Sequence, residues 1–187
     1  MPLYGVLEEQ VGWYEVSLPL QERRNRGHFS TPPPLVEHIL DACCYNGFAP
    51  GADPRSIRVL DPACGSGNFL AAAARRLISS GIQTNVPRDE LTSLVQRDIW
   101  GFDSDPVSCF LAEMQLSATV ADAMGTPMGT PMGTMSQAYL ANAPSWHIHQ
   151  ADALTFPWEE PCVDLLLANP PYLAAKNIDL SAYRSTH

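Results

Sequence analysis

Four short apolar runs punctuate this chain: "IRVL" (57–60), "DIWGFD" (98–103), "WHIHQAD" (146–152) and "CVDLLLAN" (162–169). Long stretches with helical spacing separate the first three. Strands that alternate with helices run parallel, because each crossover carries the chain back to the edge where the last strand began. The alternation therefore predicts an α/β fold built on a parallel sheet. In "TPPPLVEHILDACCYNG" (31–47), Thr31 precedes prolines in an entry turn. Leu35, Val36, Ile39, Leu40 and Cys43 follow at helical spacing, and Asn46-Gly47 ends the helix. "FLAAAARRLISSG" (69–81) reads as an alanine-rich helix closed by Gly81, and "PRDELTSLVQR" (87–97) as a second. "DPVSCFLAEMQLSATVADAM" (105–124) is a long helix with Asp105 as its cap and Pro106 in its first position.

Ligands of such sheets bind outside the carboxyl ends of the strands. The unusual residues of this sequence gather at those ends: Asp61 to Gly67, Asp103, Asp152, and Asn169 to Tyr172. In "DPACGSGNFL" (61–70), Gly65 and Gly67 remove side chains where the chain turns into a helix, so a ligand can approach the backbone. Asp61 beside them would repel a pyrophosphate and attract an amino group, such as that on the methionine part of S-adenosylmethionine. Asp103 directly follows its strand and is placed to accept hydrogen bonds from ribose hydroxyls. Asp152 reads as an acceptor for the adenine amino group of the same cofactor rather than as an ordinary turn aspartate.

The last strand runs into Asn169-Pro170-Pro171-Tyr172. Neither proline has an N–H for a sheet ladder, so the strand stops there in a stiff turn. The Asn169 side chain and the Pro170 carbonyl are both acceptors. Aimed together, they hold an –NH2 group by its two hydrogens and localise its delocalised lone pair. Tyr172 offers a π-face to a base rotated out of its stack. A sulfonium methyl held in line then transfers directly, without a covalent intermediate or a general base. Pro161-Cys162 is similar to the Pro-Cys nucleophile of cytosine-C5 methyltransferases. Cys162, however, begins the fourth strand, about 16 Å from the active face for five residues at ~3.3 Å each. It reads as a core or edge thiol.

Composition narrows the classes further. No run of 18 apolar residues exists, and the early acids of the N-terminus are not a signal peptide, so a cytoplasmic protein with no membrane contact is expected. Five cysteines (Cys43, Cys44, Cys64, Cys109, Cys162) without a CxxC pair read as reduced thiols, and no metal site is expected. His147 and His149 read as two strand residues facing one side. "MGTPMGTPMGTM" (124–135) repeats a four-residue unit whose Gly and Pro forbid helix and strand. It reads as a surface-loop insertion spanning 123–145. The net charge of −9 argues against a DNA-binding surface within these 187 residues. The one basic cluster, Arg23, Arg24 and Arg26, reads as a solvated loop.

"DPACGSGNFL" followed by "NPPY" resembles the N6-adenine DNA methyltransferases of restriction–modification and related phage-defence systems, in the gamma class, where the cofactor motifs precede the catalytic one. "RGHFSTPPPLV" (26–36) is similar to that family's N-terminal cofactor motif, with Ser30 a mild departure. The resemblance covers about residues 20–175. It implies a Rossmann-like S-adenosylmethionine-dependent sheet, here truncated after about four parallel strands. Residues 1–30 would be an N-terminal segment and 31–187 a partial catalytic domain, without the target-recognition domain. It places Thr31 and Asp61 near the methionine moiety, Asp103 near the ribose, Asp152 near the adenine, and Asn169, Pro170 and Tyr172 around the target base. DNA would be engaged through the missing C-terminal part, with restriction or specificity subunits as partners. The isolated chain would be inactive, and would self-associate through its unpaired fourth strand or cover that edge with its C-terminal tail. Two other readings stand beside this one. An enzyme with the same NPPY chemistry could act on RNA or on a protein glutamine, although "PACGSG" and "TPPPLV" favour DNA. The isolated chain could also be a non-catalytic cofactor-binding half-domain.

Overall fold

The computed structural model describes residues 30–50, 55–125, 145–157 and 163–171. Arg23, Arg24, Arg26, Cys162, Tyr172 and the repeat from residue 126 onward lie outside the described residues. Helix α1 (Pro33–Ala42) takes two prolines in its first turn, where a missing N–H costs nothing, and buries Val36 and Leu40 one turn apart. Strand β1 (Val59–Asp61) leads into α2 (Asn68–Gln83), then α3 (Arg88–Asp98) and β2 (Ile99–Asp103). Helix α4 (Pro106–Ala123) follows, then β3 (His147–Gln150) and β4 (Leu165–Leu166).

The sheet order is β3-β2-β1-β4, with every pair parallel. The chain first adds strands outward from β1 on one side, then returns to place β4 on the other. Reversal of this kind creates a crevice between the carboxyl ends of β1 and β4. The core lies under the helices. Leu70, Ala73, Ala74, Leu77 and Ile78 of α2 pack with Val59, Ile99, Leu91, Val95 and Leu116. The alanines of α2 keep it close to its neighbours. Arg76 ties α1 to α2, reaching Glu37 Oε2 (2.6 Å), Asp41 Oδ1 (2.7 Å) and the Tyr45 carbonyl (3.1 Å). Helix α1 is thereby fixed against the glycine turn's own helix.

Several local expectations change. Helix α1 stops at Ala42, before Asn46-Gly47. Strand β3 is shorter than 146–152 and stops before Asp152. Gly81 does not end α2, which runs on to Gln83. A Cβ at Gly81 would lie 2.2 Å from Leu91 Cδ2, so its smallness serves the contact with α3. The first strand is Val59–Asp61 rather than 57–60, so Asp61 itself belongs to the sheet. The fourth strand is two residues long, not the whole of 162–169. After it, the Leu167 N–H still donates to the Leu60 carbonyl (2.9 Å), and the prolines then end the ladder. Before it, the Asp164 carboxylate accepts from Arg55 (2.8 and 2.9 Å) and from the backbone N–H and guanidinium of Arg58 (3.0–3.2 Å). These bonds hold the carboxyl well below the ordinary carboxylate range, the Arg55 guanidinium first. They set the register of β4 where the ladder is short.

His147 and His149 do face one side, stacked on Trp100 (ring centroids 4.0 Å) and Phe102 (4.9 Å) of β2. Among the described residues, no helix is long and apolar enough to cross a membrane.

Candidate active site

β1 delivers Asp61 to the bottom of the crevice, 1% exposed. Burial pushes its carboxyl up to about 7, and the nearby charge of Asp103 pushes the same way. The Ala63 N–H, donating to Oδ1 at 3.0 Å, opposes them. The turn that follows is tied to β2 twice. The Cys64 N–H donates to the Phe102 carbonyl (2.8 Å), and the Gly65 N–H donates to Asp103 Oδ2 (3.0 Å). The other Asp103 oxygen accepts from the Asp105 N–H (2.8 Å). A carboxylate has about four acceptor positions. Asp103 therefore organises the glycine turn and retains capacity for a diol. Asp105 caps α4 as expected, accepting from the Ser108 N–H and hydroxyl, both at 2.9 Å.

The two turn glycines serve different purposes. Gly67 (φ +92°) is the N-cap of α2, and a Cβ there would stand 2.9 Å from both Cα and Cβ of Ala112. Its absence lets α2 and α4 meet. Gly65 (φ +52°) has no heavy atom within 4 Å of where its Cβ would be. The space beside it is open, as a ligand resting on the backbone requires.

Asn169 follows β4, on the strand neighbouring Asp61. Its Nδ2 donates to the Thr31 hydroxyl (3.1 Å), joining residues 138 positions apart. Thr31 is buried. Its carbonyl and the Ser30 hydroxyl accept the two amide hydrogens of Asn68 (3.0 and 2.8 Å). Asn68 Oδ1 accepts in turn from Gln115 Nε2 (3.1 Å), in the middle of α4. Ser30, Asn68 and Gln115 join this network behind Asn169 without a site role legible in the sequence motifs. Gln115 carried a signal: it shares its helix face with Ala112 and Thr119, and a polar residue on a buried stripe must find a partner.

Asp152 stands exposed on the turn after β3, where its Oδ1 accepts from the Leu154 N–H (2.9 Å). It shapes its own turn, which is tethered to β2 by the Ala151 N–H donating to the Asp103 carbonyl (3.0 Å). The crevice thus gathers Thr31, Asp61, Gly65, Gly67, Asp103 and Asn169, while Pro170 is exposed just beyond. Tyr172 lies outside the described residues. The nearby thiols are inert. Burial, with the charges of Asp61 and Asp103, raises Cys64 well above its usual range, and Cys109 is pushed up to about 11, so both stay protonated at neutral pH. Among the described residues, no three His, Cys, Asp or Glu side chains gather as a metal site.

Residues 53–184 match the family model described as MmeI, DNA-methyltransferase domain. The chain is 33% identical over 90 residues to the type I restriction enzyme MjaIX methylase subunit of Methanocaldococcus jannaschii, covering 48% of this chain and 13% of that relative. A modification subunit of a type I restriction enzyme from Vibrio vulnificus YJ016 has a similar fold (TM-score 0.50, 22% identity), covering 90% of this chain and 29% of that one. The chain spans less than a third of the length of either.

Proposed function

The chain belongs to the MmeI DNA-methyltransferase domain family, and from that premise we propose that its protein transfers a methyl group from S-adenosylmethionine to the exocyclic N6 of adenine in DNA, within a restriction–modification system. The observation that carries this reading is the meeting of two elements at the sheet's switch point. The buried Asp61 and glycine turn end β1, and the Asn169-Pro170 turn ends the neighbouring β4.

The residues present fit the cofactor. Asp61 suits its cationic amino-acid end, Asp103 its ribose diol, and the open side of Gly65 a ligand lying on the backbone. Asp152 is proposed for the adenine edge. When bound, S-adenosylmethionine supplies an electrophilic methyl group on a sulfonium. The chain's own groups prepare the amine. Asn169 Oδ1 and the Pro170 carbonyl accept the two N6 hydrogens and localise the nitrogen lone pair along the line of attack. The bond from Asn169 Nδ2 to Thr31 engages the donor end of that amide, which suits an acceptor role for Oδ1. Tyr172 is proposed as the stacking surface for the flipped base. After transfer the excess N6 proton leaves to water.

We place recognition of the DNA sequence, and contact with specificity or restriction subunits, outside these residues. The charge of −9 supports that placement. A cytoplasmic setting follows from the proposed substrate. Leu166 on β4, 60% exposed, supports the proposal that the 187 residues alone self-associate along that strand and lack sequence-specific activity. The test of the function is to incubate the full-length protein with methyl-labelled S-adenosylmethionine and DNA, RNA or a glutamine-bearing protein. Label is expected in DNA as N6-methyladenine. Label in RNA or in protein glutamine alone would replace this reading with the other NPPY chemistry.

Cofactor binding is expected to depend on pH through Asp61. Without ligand its carboxyl titrates at about 7. Below that pH it is neutral, and a cationic ligand must displace its proton. Affinity should fall by up to about tenfold per pH unit as pH drops below 7. The stability of the unliganded fold runs the other way. The folded value lies above the ordinary 3.8, so this group's favourable contribution is present at low pH and lost as pH rises through about 7. Calorimetry in buffers of differing ionisation heat should detect proton release on binding near pH 6. An affinity that stays flat from about pH 5.5 to pH 8 would remove Asp61 from the cation site.

A further inference from the structure

We propose that Thr31 is a positioning residue for the transfer step, its hydroxyl holding the Asn169 amide at the angle the target amine requires. The proposal rests on the adenine-methyltransferase reading above and deepens it. The terminal torsion of an asparagine is broad and two-fold, so nothing within Asn169 itself fixes where its oxygen lies. An external bond must do so, and the one from Nδ2 to Thr31 Oγ1 (3.1 Å) does.

The support behind that bond is stiff. Thr31 is buried, and its own carbonyl is held by Asn68 Nδ2 (3.0 Å), the same nitrogen that reaches Ser30 Oγ (2.8 Å). Asn68 is fixed from behind by Gln115 Nε2 (3.1 Å), and Gln115 is fully buried in α4. A chain of side-chain amides therefore runs from the middle of α4, through the first residue of α2, to the segment before α1, and ends on Asn169. Each link is short, and none passes through solvent-exposed lysine or glutamate side chains whose freedom would blur the geometry. A reacting group needs this kind of second layer, because misplacement by about 1 Å can cost about 10²-fold in rate.

The experiment uses the full-length enzyme with Thr31→Val, which keeps the shape and deletes the hydroxyl, and Thr31→Ser, which keeps the hydroxyl. Thr31→Ala gives the same readout should the valine variant not fold. Single-turnover methylation, cofactor affinity by calorimetry and the fluorescence of a 2-aminopurine target base, which reports flipping, are measured for each. Thr31→Val should lower the single-turnover transfer rate at saturating cofactor by about 10–10²-fold, a loss larger than any it causes in cofactor affinity, with flipping near wild type, and Thr31→Ser should recover most of the rate. An unchanged rate in Thr31→Val, beside an inactive Asn169→Ala, would overturn the positioning role and leave the proposed function standing. A loss of cofactor affinity matching the loss of rate would make Thr31 a cofactor contact instead. A fully active Asn169→Ala would remove the underlying function, and this proposal with it.

Discussion

Asn169→Ala in the full-length enzyme is expected to lower methyl transfer by about 10³-fold or more, while S-adenosylmethionine affinity stays within about twofold. In the proposed reaction the amide acts where charge develops on the attacking nitrogen, so its loss would raise the barrier without touching the ground state of the cofactor. Losing one preorganised partner of this kind typically costs about 10²–10³ in rate. Here the same truncation also leaves the buried Thr31 hydroxyl without the amide that donates to it. The Pro170 carbonyl remains and cannot hold both hydrogens of the amine. Single-turnover incorporation of labelled methyl, paired with calorimetric titration of the cofactor, reads the two effects separately. If rate and cofactor affinity fell together, Asn169 would belong to the cofactor site. Wild-type turnover would show that a different group holds the amine.

The glycine turn gives the second large effect, and its two glycines should separate cleanly. Gly67→Ala should destabilise the domain by about 2–4 kcal/mol, from a left-handed backbone and from overpacking. The contact its Cβ would make is with Cα and Cβ of Ala112 at 2.9 Å, and a helix backbone cannot turn aside as a flexible side chain can. Gly65→Ala should cost only about 1 kcal/mol of stability, since its Cβ meets nothing within 4 Å and only the positive φ resists it. Its penalty should fall on cofactor affinity, because the methyl would occupy the space a bound ligand needs. Thermal midpoints and cofactor titrations of both variants check this. A Gly65→Ala protein that binds cofactor as well as wild type would move the ligand off that side of the turn.

Much of this arrangement could be read from local chemistry. A carboxylate after an apolar run, a Gly-x-Gly before an alanine-rich helix and a double proline after "LLLAN" each specify a backbone event within a few residues. Asp105 caps its helix as its sequence position predicts, and Asp103 closes the strand just before it, because strand end and helix cap are adjacent in sequence. What the sequence hid depends on the third dimension. Gly81 looks like a helix stop, but Leu91 demands its smallness. "VDLLLAN" looks like a full strand, but only Leu165 and Leu166 pair with β1, because Asp164 turns outward to two arginines and the chain leaves the ladder for the prolines. The Thr31–Asn169 bond spans nearly the whole domain, and no spacing rule relates residues so far apart. The Asn68–Gln115 contact is of the same kind.

The way β4 is attached has a consequence for how the site forms and comes apart. Among the described residues, its few backbone bonds go to β1 and the residue before it, and a side-chain anchor joins Asp164 to Arg55 across 109 positions. Contacts of such sequence separation close late in folding, after α2, α4 and the first strands have condensed. In the folded protein they also open first, since two paired residues protect little backbone from exchange with solvent. The Asn169 turn therefore belongs to the least cooperative part of the sheet. On the proposed function, a local, sub-global opening at this rim would remove catalytic competence while the core stays folded.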